Sequence, residues 1–336
     1  MKAMVVKAAQ APITLEERPK PKAGPGQVVI KVKACGVCHS DMAMQQGVFP
    51  FGKFPIVLGH EVAGVVDEVG PGVTWPKVGG SVGMPWLYDS CGHCDLCVRG
   101  DEIMCPEMTI TGVNRDGGYQ EYMLAPAAYV APIPEGLDFA EAAPLMCAGL
   151  TVFNGIRVAG YKPGAKVAVM GLGGLGSLAV QYAKSLGARV AVLSTSPEKV
   201  KEAEKLGAEK FINTKKEDVV QALRAWDGGA DIIVATAPNP EPMTQAFPGL
   251  AADGTLVVLG VGPGMITTSP MDLVGQRRKL MGSPSGSRHD LRDTLKFSLH
   301  NDVKPQIVKM KLEDAPKAHE LMHGGKLVGR AVLIME

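Results

Sequence analysis

The run from Lys166 to Gly187, "KVAVMGLGGLGSLAVQYAKSLG", constrains the fold of this chain more than any other stretch. A short apolar segment, a glycine-rich turn and an apolar stripe at helical intervals follow one another without a break. That strand, turn and helix context gives a Gly-x-Gly-x-x-Gly match its meaning, because the same glycines elsewhere could be a mere connector. Gly171 permits a tight turn, Gly173 lets the backbone approach a pyrophosphate, and Gly176 allows close helix–strand packing. The helix start at Gly174 and Leu175 directs free N–H groups at the phosphates. Five further apolar runs follow, at 189–194, 210–214, 231–236, 255–260 and 279–283. Strands alternating with helices predict an α/β fold with a doubly wound parallel sheet that binds a dinucleotide.

An acidic residue about twenty positions beyond the turn would hold the ribose 2′-hydroxyl of NAD. Here the second apolar run ends in "LSTSPEK", and Ser194 occupies that place. A carboxylate would repel a 2′-phosphate, whereas Ser194, Thr195 and Ser196 can donate hydrogen bonds to one and Lys199 can balance its charge. The pattern favours NADP(H) over NAD(H). The same residues also read as an ordinary helix start at Pro197, with Lys199 on its surface.

Four of the seven cysteines fall in "CGHCDLCVRGDEIMC": Cys91, Cys94, Cys97 and Cys105. Two-residue gaps let neighbouring thiolates converge on one ion, and the longer hop closes a loop, giving a four-sulfur zinc site rather than a disulfide framework. Four thiolates fill a tetrahedron, so this zinc is expected to be structural, with His93 a solvent-facing loop residue. Such spacing also occurs in nucleic-acid-binding zinc ribbons. With 35 basic and 34 acidic residues and no run of like charge, the chain offers no basic surface for nucleic acid. "MKAMVVKAAQ" lacks a secretory apolar region, and no membrane partner is indicated. These features predict a cytoplasmic protein, where cysteines stay reduced.

Cys35, Cys38 and Cys147 remain. No local spacing joins Cys38 of "CHSD", His60 of "LGHE" and Cys147 of "LMCAGLT". Their chemistry does: two sulfurs and one imidazole form the ligand set of an alcohol-activating zinc whose fourth position stays open. Taken singly, a buried cysteine is usually a small apolar residue, and a histidine can simply bond a core carbonyl.

"CGVCHSD", "GHE", the four-cysteine lobe, "CAGLT" and "GLGGLG" occur in an order and at separations that resemble the zinc-containing medium-chain alcohol dehydrogenases. "STSPEK" looks most like the NADP-preferring cinnamyl alcohol dehydrogenase branch and its bacterial relatives. The resemblance covers essentially the whole chain. It implies a GroES-like, β-rich catalytic domain over residues 1–148 and 285–336, carrying a zinc lobe at 88–106, and a Rossmann domain over 149–284, with the active site in the cleft between them. It further implies a catalytic zinc on Cys38, His60 and Cys147, with Glu61 as an alternative ligand, hence two zinc ions per chain. Ser40 would bind the substrate oxygen and pass on its proton, and Asp41 would support His60. His39, Thr151 and Arg330 would contact the cofactor. The implied reaction is hydride transfer between NADP(H) and a primary alcohol or aldehyde, aromatic or medium aliphatic, in a homodimer or homotetramer.

Three features depart from the family pattern. Ala43 stands where many members carry the histidine that ends a proton relay. Gly80 and Ser81 replace an Asp-Arg pair, and Cys35 is an extra thiol. Alternatives are an NAD-dependent zinc dehydrogenase of another branch, acting on polyols or other alcohols, and a non-enzymatic protein of the same fold. Trp86 could form an aromatic wall for the substrate, and "GTLVVLGVGPG" could form a subunit edge.

Overall fold

A computed structural model describes residues 1–336. The chain divides into two compact units, one comprising Met1–Cys147, Gly286–His300 and Lys304–Glu336, the other Ala148–Ser285 with Asn301–Val303. Nothing in the sequence pattern signals that Asn301–Val303 belongs to the second unit.

The first unit is built on a mixed seven-stranded sheet. Its central strand β1 (Gln27–Gly36) alternates buried Ile30, Val32 and Ala34 with half-exposed Lys31 and Lys33. That period of two presents one apolar face to the core. Cys38 then caps the short helix α1 (His39–Gln45). The next long strand, β2 (Glu61–Val69), runs antiparallel to β1 with Gly36 opposite Glu61 and Cys35 opposite Val62. The register therefore sets the two ends that carry "CGVC" and "GHE" side by side.

The second unit contains a six-stranded, all-parallel sheet. Its strands are β3 (Lys166–Met170), β4 (Arg189–Ser194), β5 (Lys210–Asn213), β6 (Ala230–Ala235), β7 (Leu250–Val258) and β8 (Lys279–Gly282). Helix α2 (Gly174–Ser185) follows the glycine turn. The order β5-β4-β3-β6-β7-β8 places later strands on both sides of β3, which makes the sheet doubly wound as predicted. Val167, Val169, Val190, Val192, Ile233 and Val234 are buried. Such continuous apolar runs are what a parallel sheet covered on both faces requires. Each of these side chains contributes about 1.5–3 kcal/mol through burial. The stretch "GTLVVLGVGPG" is not at a sheet edge: its first five residues close β7, which is paired on both sides, and the edges of this sheet are β5 and β8. An apolar stretch looks the same at an edge as one strand inside it.

After the second unit the chain returns to the first through β9 (Ile307–Lys311), helix α3 (Ala315–His323) and β10 (Arg330–Ile334). Strand β10 pairs antiparallel with the end of β1, Val332 opposite Gly36, so Arg330 arrives beside the Glu61 end of β2. The helical run Phe139–Val158 is long and apolar enough to cross a membrane, yet 83% of its apolar window is buried within the protein. A core helix has that character.

Candidate active site

Cys38, His60, Glu61 and Cys147 each offer a donor atom, and these atoms lie within 4.8 Å of one another. Their positions follow from local structure. Cys38 sits at the start of α1, where Asp41 closes the turn by accepting the Cys38 N–H at 2.9 Å. His60 and Glu61 stand at the beginning of β2. Opposite Glu61, a Cβ on Gly36 would collide with the carboxylate, so the glycine of "CGVC" makes room for it. Cys147 lies on a π-helical turn, Leu145–Gly149, just after Pro144. Pro144 offers no N–H to the preceding turn, and widened turns of this kind recur at functional sites.

The polar groups around these donors fix their chemistry. His60 Nδ1 lies 3.0 Å from Asp41 Oδ1, which accepts its hydrogen and leaves the Nε2 lone pair free for a metal. His60 Nε2 is buried and has no hydrogen-bond partner. A hydrogen bond from Cys147 holds the Cys38 thiol well below its usual range, and the same contact pushes Cys147 up. Burial pushes Glu61 up to about 7, although Arg330 Nη2 donates to its Oε1. Glu61 Oε2 and Arg330 Nε are buried without a partner. Unpartnered buried polar atoms are costly unless a ligand engages them. Two sulfurs, an imidazole nitrogen and a carboxylate converging in so small a volume fit a divalent zinc ion. The ring of Trp86 stands edge-on to His60 with centroids 4.8 Å apart, and Phe49 lies 5.8 Å from Trp86.

The four-cysteine lobe has a different geometry. The sulfurs of Cys91 and Cys105 lie 3.6 Å apart, and those of Cys91 and Cys97 and of Cys94 and Cys105 lie 3.9 Å apart. A disulfide needs about 2.05 Å, whereas four sulfurs on one zinc at about 2.3 Å stand about 3.8 Å apart. The lobe therefore fits zinc and not disulfides. Ser90 Oγ, 3.3 Å from Cys97 Sγ, brings that thiol down to about 7. His93 is exposed, its Nδ1 2.9 Å from the Cys91 carbonyl.

At the glycine turn, Gly171 has φ +90°, a conformation open to glycine. A Cβ on Gly173, at the start of α2, would meet nothing within 4 Å, so the backbone faces open space there. A Cβ on Gly176 would strike the Gly171 carbonyl just past the end of β3 and come within 3.3 Å of Thr236 Oγ1 just past the end of β6, so this glycine lets the helix start close against the strand ends. The first-turn backbone N–H groups of half-buried Gly174 and Leu175, beginning a helix of 12 residues, fit a dinucleotide pyrophosphate. Ser194 ends β4 with its Oγ accepting from the Ser196 N–H at 3.2 Å, and Lys199 Nζ donates to the Leu172 carbonyl of the turn at 2.5 Å. Thr195 is exposed and Ser196 half-buried.

His39 is exposed and Ser40 half-buried in the first turn of α1, while Thr151 is buried in the helix Leu150–Val158 of the second unit. Arg330 is buried against Glu61. Two residues that the sequence reading passed over belong with this site: Tyr119, whose hydroxyl donates to Asp41 Oδ2 at 3.0 Å, and His319, 3.4 Å beyond it. Neither sits in a spaced motif, so only the fold brings them in.

The chain matches the alcohol dehydrogenase GroES-like domain family over residues 24–135 and the zinc-binding dehydrogenase family over residues 174–300. It is 42% identical to an alcohol dehydrogenase of Geobacillus stearothermophilus over 334 residues, covering 99% of each chain. Its structure is similar to that of CAD from Helicobacter pylori complexed with NADP(H), with a TM-score of 0.90 at 28% identity, covering 99% of this chain and 97% of that one. It is also similar to acetophenone reductase from Geotrichum candidum in complex with NAD, with a TM-score of 0.86 at 30% identity and the same coverage. A centre of four converging donors, a four-cysteine lobe and a glycine turn thus accompany whole-chain similarity, and this oxidoreductase belongs to the zinc-binding medium-chain alcohol dehydrogenase family.

Proposed function

We propose that this enzyme interconverts primary alcohols and aldehydes, aromatic or medium aliphatic, with NADP(H). In this reading Cys38, His60 and Cys147 hold the catalytic zinc, Glu61 is its alternative ligand, and the four-cysteine lobe holds a structural zinc. The observation that carries it is the buried, unpartnered His60 Nε2 among two cysteine sulfurs. When bound, the zinc supplies Lewis acidity toward a substrate oxygen and the nicotinamide supplies the hydride chemistry.

The chain's own residues do the rest. Asp41 orients His60 through its Nδ1 proton. Arg330 offsets part of the carboxylate charge of Glu61 and leaves its own Nε for a cofactor phosphate. Ser40, in the first turn of α1 and half-buried, holds the substrate hydroxyl proton and releases it. Since Ala43 offers no imidazole, the chain itself ends the relay at Ser40, and water or a bound cofactor ribose would have to accept that proton. Trp86 and Phe49 supply an apolar, ring-lined wall that suits an aryl or alkyl group and excludes water. His39 and Thr151 are assigned to the cofactor.

The preference for NADP(H) rests on Ser194, Thr195, Ser196 and Lys199 at the end of β4, with no carboxylate at position 194. The rival NAD(H) reading draws on the Ser194 Oγ already accepting a backbone proton and on Lys199 being engaged with Leu172. Comparing kcat/KM for NADPH and NADH across a panel of aromatic and aliphatic aldehydes decides between them. NADPH should be favoured, and Ser194→Asp should move the ratio toward NADH by about tenfold, since one charged contact is worth about 1.4 kcal/mol. A wild-type preference for NADH would overturn the cofactor assignment. We also infer a cytoplasmic homodimer or homotetramer. Self-association is supported by the edge strand β8 with exposed Met271 and Val274 nearby in sequence, and it is measured by sedimentation.

A further inference from the structure

Asp41 is buried, and its carboxylate receives four hydrogens. Oδ1 accepts from Gly59 N at 3.1 Å and faces His60 Nδ1 at 3.0 Å; Oδ2 accepts from Cys38 N at 2.9 Å and from the Tyr119 hydroxyl at 3.0 Å. Three of these donors lie next to or within the donor set itself. Tyr119 alone comes from a remote part of the chain. We propose that Tyr119 is a positioning residue of the metal site, its hydroxyl pinning Asp41 so that one oxygen stays committed to His60. The inference rests on the assignment of Cys38, His60 and Cys147 as metal ligands.

The hydroxyl has one proton and two acceptors within reach, Asp41 Oδ2 at 3.0 Å and His319 Nε2 at 3.4 Å. Gln45 decides where it goes. Its Nε2 donates to the Ala11 carbonyl at 3.1 Å, so its Oε1 faces His319 Nδ1, also at 3.1 Å, and that nitrogen carries the ring proton. Burial holds His319 below the ordinary histidine range, which keeps the ring neutral and leaves Nε2 a bare acceptor. The shorter, charge-assisted bond to Asp41 takes the proton, and His319 is the competitor that loses. Removing the hydroxyl leaves Oδ2 with one donor, and the carboxylate can turn and share both oxygens with His60. Removing His319 leaves the hydroxyl wholly committed to Asp41.

This gives the two variants opposite rankings from those expected of packing alone, where losing a whole imidazole disturbs more than losing one oxygen. The experiment follows zinc transfer from the intact holoenzyme to a chromogenic chelator, together with the visible spectrum of the cobalt-substituted enzyme, for wild type, Tyr119→Phe and His319→Ala. Wild type and both variants should start with two metals per chain, and release from the cysteine lobe should match in all three, which also confirms folding. Tyr119→Phe should release the second metal about tenfold faster with shifted cobalt bands, the lower end of what losing a partner behind a ligand costs. His319→Ala should release it no faster than wild type. Unchanged release and spectrum in Tyr119→Phe, or faster release from His319→Ala than from Tyr119→Phe, overturns the role of Tyr119. A wild-type enzyme holding metal only in the cysteine lobe removes the ligand assignment, and this inference with it.

Discussion

Cys91, Cys94, Cys97 and Cys105 lie within fifteen consecutive residues, whereas Cys38, His60 and Cys147 are spread from position 38 to position 147. The lobe brings its sulfurs together with short turns, a four-residue helix, a three-residue 3-10 helix and no apolar core of its own; three of its four cysteines are partly exposed. The dispersed set depends on two strand ends in register, a helix cap and a π-helical turn; Cys38 and His60 are buried and Cys147 is half-buried. A cluster of the first kind can stabilise a loop but has no enclosed space in which to bind a substrate. One of the second kind can, because the fold rather than the metal holds its donors in place.

That contrast is broken most directly at Cys38. Replacing Cys38 or His60 with Ala should lower aldehyde reduction by about a thousandfold, since Lewis-acid stabilisation is worth several kcal/mol and each 1.4 kcal/mol is tenfold. The thermal midpoint should change little, because β1 and β2 remain paired whether or not the site is filled. Rates within tenfold of wild type would mean that these donors do not carry the chemistry.

Cys94→Ser should show the reverse pattern. A structural metal contributes folding free energy outright, so weakening it should cost a few kcal/mol and lower the thermal midpoint by about 10 °C. Activity measured well below the transition should persist. Loss of activity with an unchanged midpoint would exchange the roles of the two clusters.

The two sites also differ in how far they could be read from sequence. The lobe was legible because its ligands are neighbours, and spacing is visible in a linear string. The glycine turn was legible for the same reason, and with it the six parallel strands, whose apolar runs sit within a few residues of the strands observed. Cys38, His60 and Cys147 have no mutual spacing, so chemical type and family resemblance had to supply what the pattern could not. Tyr119 and His319 lay beyond both, since a buried tyrosine or histidine reads from sequence as ordinary core until the fold shows what its polar atom touches. The place of β7 inside the sheet was hidden too, because an apolar run does not show on how many sides it will be paired.

The smallest effect sharpens the question of what holds the lobe besides its sulfurs. Glu102, between Cys97 and Cys105, is buried and accepts from Arg288 N at 3.1 Å and Arg288 Nε at 2.9 Å, at the start of the helix Arg288–His300. The same guanidinium donates to the Ala128 carbonyl at 3.2 Å and lies 4.5 Å over the Tyr129 ring. Tyr129 in turn lies 2.7 Å from the hydroxyl of Ser90, the residue before Cys91. The lobe is thus tied to the rest of the first unit by one buried carboxylate and a short polar chain, in addition to its sulfurs. Glu102→Gln preserves shape and removes the charge, which should cost about 1–2 kcal/mol, the difference between a charged and a neutral hydrogen bond at a buried site. The thermal midpoint should fall by about 5 °C. Zinc release from the lobe to a chelator should accelerate, while turnover at low temperature and release from the Cys38 site stay as in wild type. If neither midpoint nor release responds, the sulfurs and their metal hold the lobe alone, and the Arg288 contact is incidental to it.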